Sequence, residues 1–192
     1  MIGKLALAGA LALGLLPLPD SEFPPTIFTQ HPYVEKVSCD KGSGTAFKIA
    51  DGRWLTVAHV ADNTGCTIDS KPITVLEMDG AGDFAIIDVP DNRRGGIEVN
   101  CNGFRDREWV WGVGHGRGLR EPQIVAARYS TLLTWLYSKN WGILEGNRYV
   151  PGMSGGPVLD QTGRVVGLVN AYGIYQRISF SRQLRDTSIC RG

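Results

Sequence analysis

The sequence predicts an all-β protein, a barrel or a sandwich. Short runs rich in β-branched and aromatic residues recur at close spacing between turn signals, the pattern of many small strands. Twenty-five glycines and ten prolines among 192 residues favour frequent turns over long helices. With 43% apolar and 20% charged residues, a chain of this length can bury a substantial core. The strands follow in order: 45–49, then Asp51-Gly52 and 54–58; 73–78, then Asp79-Gly80; 84–89, ended by Pro90. Residues 109–113, 123–127, 132–136 and 157–159 continue the series, and 164–170 follows Thr162-Gly163. The stretch 91–106, rich in Gly, Asn and Arg, reads as a linker between two halves, and 181–189 as a short closing helix.

Charge and composition narrow the function classes. Twenty basic against nineteen acidic residues leave a net charge of +1, too small to hold the chain on nucleic acid or an acidic membrane surface. No repeat or low-complexity tract interrupts the chain after Pro24-Pro25. At the N-terminus, Lys4 precedes an apolar run over 5–16 that ends at Pro17 and Pro19, so 1–20 reads as a signal peptide or a signal anchor. Either puts the remainder outside the cytoplasm: secreted, periplasmic or extracellular, or membrane-anchored through 5–19. Cys39, Cys66, Cys101 and Cys190 are even in number and contain no Cys-x-x-Cys pair, which favours disulfides over zinc.

The chemistry is concentrated in Pro151-Gly152-Met153-Ser154-Gly155-Gly156-Pro157, a serine among three glycines directly before a strand. Glycines at such a site let backbone N–H groups converge on one point beside a nucleophilic hydroxyl, which acyl transfer requires. Gly-x-Ser-x-Gly also fits the α/β-hydrolase elbow, but that fold places its histidine after the serine. Here His31, His59 and His115 all precede Ser154, and Gly155-Gly156-Pro157 would begin a helix badly. The remaining order is His, Asp, Ser. His59 closes an apolar strand, and Asp83 opens another. Asp62 lies too near His59 in sequence, and Asp88 falls within a strand; Asp69 and Asp79 are the other rivals. His115, in Val113-Gly114-His115-Gly116, reads as a loop residue.

At these residues the sequence resembles the chymotrypsin/trypsin-like serine proteases, and among them the compact bacterial and viral members. The family's Thr-Ala-Ala-His is matched by Thr56-Val57-Ala58-His59, its Asp-apolar-Ala by Asp83-Phe84-Ala85, and its Gly-x-Ser-Gly-Gly-Pro by residues 152–157. Gly42-Ser43-Gly44-Thr45-Ala46-Phe47 is similar to the strand upstream of the histidine, and Gly167-Leu168-Val169-Asn170 to the strand lining the cleft. The resemblance implies two antiparallel six-stranded β-barrels with the active site between them, in a domain over 30–192. The first barrel would cover about 34–95 and the second about 105–185. It further implies a serine endopeptidase with His59, Asp83 and Ser154 as triad and the N–H groups of Gly152 and Ser154 as oxyanion hole. Its partner would be a protein or peptide substrate, with no nucleic acid, no cofactor and no metal, and a monomer is expected. The alternative is an inactive protease-fold module that binds or regulates a partner while tethered at a membrane.

The resemblance also frames the finer expectations. It implies a Cys39–Cys66 bridge, loosely like the family's histidine-loop disulfide because Cys66 lies seven residues beyond His59, and Cys101–Cys190 as the other. Met153 stands where zymogen-type members carry an aspartate, so activation by an inserted N-terminal ammonium is not expected. Six residues before the serine, the pocket-base position holds Arg148, with Tyr149, Asn170 and Tyr172 as walls. That base argues against cleavage after Arg or Lys.

Overall fold

The computed structural model describes residues 31–137, 141–146, 149–172 and 178–191. The leader or anchor expected over 1–20 lies outside the described residues. Among the described residues no helix is long and apolar enough to cross a membrane.

Strands β1 (Val34–Cys39), β2 (Gly42–Lys48), β3 (Trp54–Thr56), β4 (Thr67–Ile68), β5 (Lys71–Pro72), β6 (Thr74–Asp79) and β7 (Phe84–Asp88) form one antiparallel sheet in the order β5-β4-β1-β2-β3-β7-β6. Its two edges, β5 and β6, are consecutive in the chain and joined through Ile73. The sheet must therefore curl on itself, and the chain rather than a ladder links its edges. Pro72 in β5 has no N–H to donate, and the edge strand β6 is exposed along its whole length. Here seven strands rather than six curl into a half-barrel, in keeping with the two-barrel architecture that the resemblance implied.

The second half closes fully. Strands β8 (Trp109–Gly114), β9 (Gln123–Tyr129), β10 (Gly142–Gly146), β11 (Pro157–Leu159), β12 (Val165–Tyr172) and β13 (Ile178–Gln183) form a barrel in the order β10-β13-β12-β11-β8-β9, with β9 pairing β10 to complete it. All its ladders are antiparallel.

Three sequence expectations are corrected. Residues 132–136 are not a strand but belong to a helix, Thr131–Tyr137. Ser130 caps it, its Oγ accepting the Leu133 N–H at 3.3 Å, while Asp106 accepts the Thr131 N–H at 2.9 Å. The apolar run alone hid the cap. The strand expected at 54–58 stops at Thr56, and 58–61 is a one-turn helix, α1 (Ala58–Ala61). The helices at 131–137 and Ser188–Arg191 are α2 and α3. The closing helix read over 181–189 is not continuous: β13 runs to Gln183, a 3-10 turn covers Leu184–Asp186, and α3 begins only at Ser188. Ser181 sits buried in the barrel, its hydroxyl donating to the Leu168 carbonyl at 2.8 Å, which commits that stretch to the sheet.

The core explains how the halves are held. Phe47, Trp54, Leu55 and Ile87 of the half-barrel share one apolar cluster with Val113, Leu159 and Leu168 of the barrel. A second cluster, with Val110, Leu144, Tyr149, Met153 and Val158, fills the barrel. The linker is stitched to both sides: Ile97 bridges to Ile49, and Val99 to Val165. These contacts fix the relative placement of the elements that carry the site.

Candidate active site

His59 is the second residue of α1, whose Ala58, Val60 and Ala61 are buried. Docking that apolar face turns the imidazole outward, and its side chain is 50% exposed. Asp83 ends the turn between β6 and β7 with φ 46°, a left-handed conformation that Asp tolerates better than most residues. From there its Oδ1 accepts the His59 backbone N–H at 2.8 Å, and its Oδ2 faces His59 Nδ1 at 2.7 Å. The Asn170 side-chain amide donates to the same Oδ2. Burial alone would raise the Asp83 carboxyl, but the hydrogen bonds and charge of His59 and the Asn170 amide hold it below the usual carboxylate range. An ionised carboxylate only accepts, so Nδ1 carries the proton and neutral His59 keeps Nε2 as a free acceptor.

The serine loop is shaped by its glycines and pinned from three sides. Pro151 and Gly152 occupy the centre of a turn closed by Met153 N–H to the Val150 carbonyl at 3.0 Å, with Gly152 at φ +95°. A Cβ on Gly152 would stand 2.6 Å from the His115 carbonyl oxygen, so only glycine fits. Gly155, at φ +88°, is pressed equally against the Thr45 carbonyl. Thr45 N–H donates to Ser154 O at 2.8 Å, and Thr45 Oγ1 donates to Gly152 O at 2.8 Å while accepting the His115 N–H at 2.9 Å. The Arg117 N–H holds the Pro151 carbonyl at 2.6 Å. Because C=O and N–H of a trans peptide point oppositely, that bond turns the Gly152 N–H away from the Arg117 loop. Among the described residues neither the Gly152 nor the Ser154 N–H has an acceptor. Ser154 Oγ donates to the Asn170 carbonyl at 2.9 Å.

His59, Gly152, Ser154 and Asn170 line one cavity of about 420 Å³, with Asp83 behind His59. The histidine, carboxylate and serine singled out in the sequence thus meet across the two halves. A model of the trypsin-like peptidase domain matches residues 42–168, two thirds of the chain and all three of these residues. The chain belongs to the trypsin-like peptidase family. No curated protein matches its sequence. Its fold is similar to that of the M. tuberculosis protease Rv3671c: 23% identity and a TM-score of 0.69 to the inactive form, covering 83% of this chain and 87% of that one. The active form gives 23% and 0.70, covering 83% and 79%. The serine endoprotease from Yersinia pestis gives 17% and 0.68, covering 86% of this chain and 63% of that one, and the HtrA-type protease AlgW with tripeptide gives 17% and 0.69, covering 85% and 60%.

Other expected site residues of this trypsin-like peptidase fall in varied places. Asn170 lines the cavity, but its side chain is engaged with Asp83. Tyr149 is wholly buried over Gly112, where burial pushes its phenol up, rather than forming an open wall. Arg148 and the Tyr172 side chain lie outside the described residues. Met153 is fully buried in the apolar cluster of the barrel. Cys39 is bonded to Cys66 and Cys101 to Cys190, which suits an oxidising location outside the cytoplasm. Thr45 and Arg117 escaped notice in the sequence. Thr45 sits inside the Gly42–Phe47 motif, a usable signal, whereas Arg117 acts through its backbone and leaves none.

Proposed function

We propose that this trypsin-like peptidase is an active serine endopeptidase that hydrolyses peptide bonds through an acyl-enzyme. The observation that carries this reading is the Asp83 carboxylate, which receives both the backbone N–H and Nδ1–H of His59 and leaves Nε2 as the free base of a cavity lined by Ser154. Ser154 Oγ leaves the Asn170 carbonyl by a side-chain rotation, gives its proton to His59 Nε2 and attacks the scissile carbonyl carbon. The oxygen of that carbonyl becomes an anion and is bound by the Gly152 and Ser154 N–H groups, about 3–4 kcal/mol per donor in comparable enzymes. Collapse breaks the C–N bond, and the departing amine takes the proton from His59. Water then gives a proton to His59, attacks the ester and releases the acid, and the proton returns to Ser154. Asp83 holds the tautomer throughout and stabilises the imidazolium.

The disulfides and the apolar leader support action outside the cytoplasm, free or anchored through 5–19. The test is labelling with a fluorophosphonate probe followed by peptide mapping, together with cleavage of a peptide library. The reading expects one adduct, on Ser154, and loss of both signals in a folded Ser154→Ala protein. A folded parent that neither labels nor cleaves would instead be an inactive binding module.

A further inference from the structure

The cavity beside Ser154 has a chemically one-sided wall. His59 must return its proton to the departing amine, so the leaving half of a substrate lies against the His59 side of Ser154. That side is built by the β1–β2 hairpin, through Cys39, Lys41, Gly42 and Ser43, and by Val60 and Asn63 beyond His59. No Asp or Glu is among the residues lining the cavity. Lys41 is exposed, and among the described residues it has no ion pair. Its neighbour Asp40 is not among the lining residues and is engaged elsewhere: its carboxylate accepts the Thr64 hydroxyl at 2.9 Å, and its backbone N–H donates to the Thr64 carbonyl at 3.0 Å.

A second cation stands behind the same wall. Lys36 Nζ donates to the Gly118 carbonyl at 2.9 Å and likewise has no ion pair among the described residues. Gly118 is where the barrel meets the hairpin, since a Cβ there would lie 3.4 Å from Ser43 Oγ and 3.6 Å from Lys36 Nζ. In a chain of net charge +1, two ammonium groups with no ion pair among the described residues, at one end of the cleft, make a local positive field.

We infer that the leaving-group side of this cleft selects substrates carrying Asp or Glu at the first or second residue after the scissile bond, with Lys41 as the specificity-determining residue and Lys36 adding to the field. This rests on the endopeptidase reading above. An extended segment advances about 3.3–3.6 Å per residue, which keeps both positions within the span of a lysine side chain anchored on the hairpin. The recognised chemistry is a carboxylate. Amidating the C-termini of the test peptides restricts it to side chains.

The test is digestion of an amidated peptide library, scoring the residues after each cut. The parent should enrich Asp and Glu about two- to fivefold at the first two positions, the range of an exposed ion pair, and disfavour Lys and Arg there. Lys41→Ala should lose most of the enrichment, and Lys41→Glu should reverse it. Raising the salt to 0.5 M should shrink it in the parent, because exposed charges are screened. Each preference is a ratio within one variant, so a change in overall rate does not enter. A parent that labels with fluorophosphonate and cleaves without preference at those positions overturns this inference alone, as does a preference that Lys41→Glu leaves unmoved. Absence of both labelling and cleavage overturns the endopeptidase reading, and this inference with it.

Discussion

Asn170 donates its side-chain amide to the Asp83 carboxylate oxygen that faces His59 Nδ1, across 87 residues of sequence. Its own backbone carbonyl meanwhile accepts the Ser154 hydroxyl. One residue on β12 therefore touches the Ser154 hydroxyl through its backbone and the Asp83 carboxylate through its side chain. Substitution separates the two roles, because only the side chain is lost. Asn170→Ala should lower kcat about tenfold or more, since hydrogen bonds to charged groups contribute about 1.5–3 kcal/mol. Asn170→Ser, which keeps a donor, should recover part of the loss. A merely structural role would lower the melting temperature in both variants and leave kcat equal in the two.

Thr45 holds the serine loop in a comparable way. Its hydroxyl is wholly buried between the Gly152 carbonyl and the His115 N–H. Thr45→Val keeps the shape and removes the hydroxyl, leaving both groups without their partner at about 1–3 kcal/mol each. The Gly152–Met153 peptide then loses one of its anchors, and the loop that presents the Gly152 and Ser154 N–H groups is held less tightly. The expected outcome is a fall in kcat of about tenfold or more with KM little changed, measured on any peptide the parent cleaves. A fall in KM-dependent binding alone would place Thr45 in substrate binding instead.

The residues that were legible in the sequence are those whose signal is local. Ser154 stood out because Gly152 and Gly155 answer to positive φ and to backbone pressed against them. Strand β11 was bounded by Pro157 and the turn at Asp160, and β7 by Asp83 and Pro90. What escaped depends on partners far along the chain. α2 reads as a strand from its apolar run, and beside its local cap Ser130 its first N–H is held by Asp106, 25 residues away. β4 and β5 are two residues each, too short for any periodicity; β4 exists because β1 offers a ladder, and β5 because β4 does. The double role of Asn170 arises only where β12 crosses to the turn at Asp83.

Acid should weaken the fold through particular carboxylates. Burial would raise Asp160, but hydrogen bonds from Thr162, Asn100 and the Arg164 backbone hold it below its ordinary 3.8. Asp91 is lowered likewise, against burial, mainly by Lys48. The unfolded chain takes up these protons near 3.8 and the folded one only at lower pH, so stability falls as the pH drops through that interval. Urea unfolding between pH 7 and pH 2 should show this loss. Asp160→Asn should be less stable at pH 7 by about 1.5–3 kcal/mol and should lose less on acidification. An unchanged pH slope in that variant would remove Asp160 from the account.

The two disulfides should separate stability from activity. Cys101–Cys190 spans 89 residues and ties the linker to α3, whereas Cys39–Cys66 spans 27 and ties the β1–β2 hairpin to the loop after His59. On chain-entropy grounds the longer loop contributes about 4.6 kcal/mol and the shorter about 3.5 kcal/mol. Replacing Cys101 and Cys190 by Ser should therefore cost more in urea unfolding. Yet Cys39 lines the cavity and Cys101 does not. Replacing Cys39 and Cys66 frees the hairpin that presents Lys41 and the loop that follows α1. The smaller loss of stability should then come with the larger loss of kcat/KM, measured well below either melting transition. Equal kcat/KM in the two double variants would mean that the barrel and α1 hold the cleft wall without the bridge.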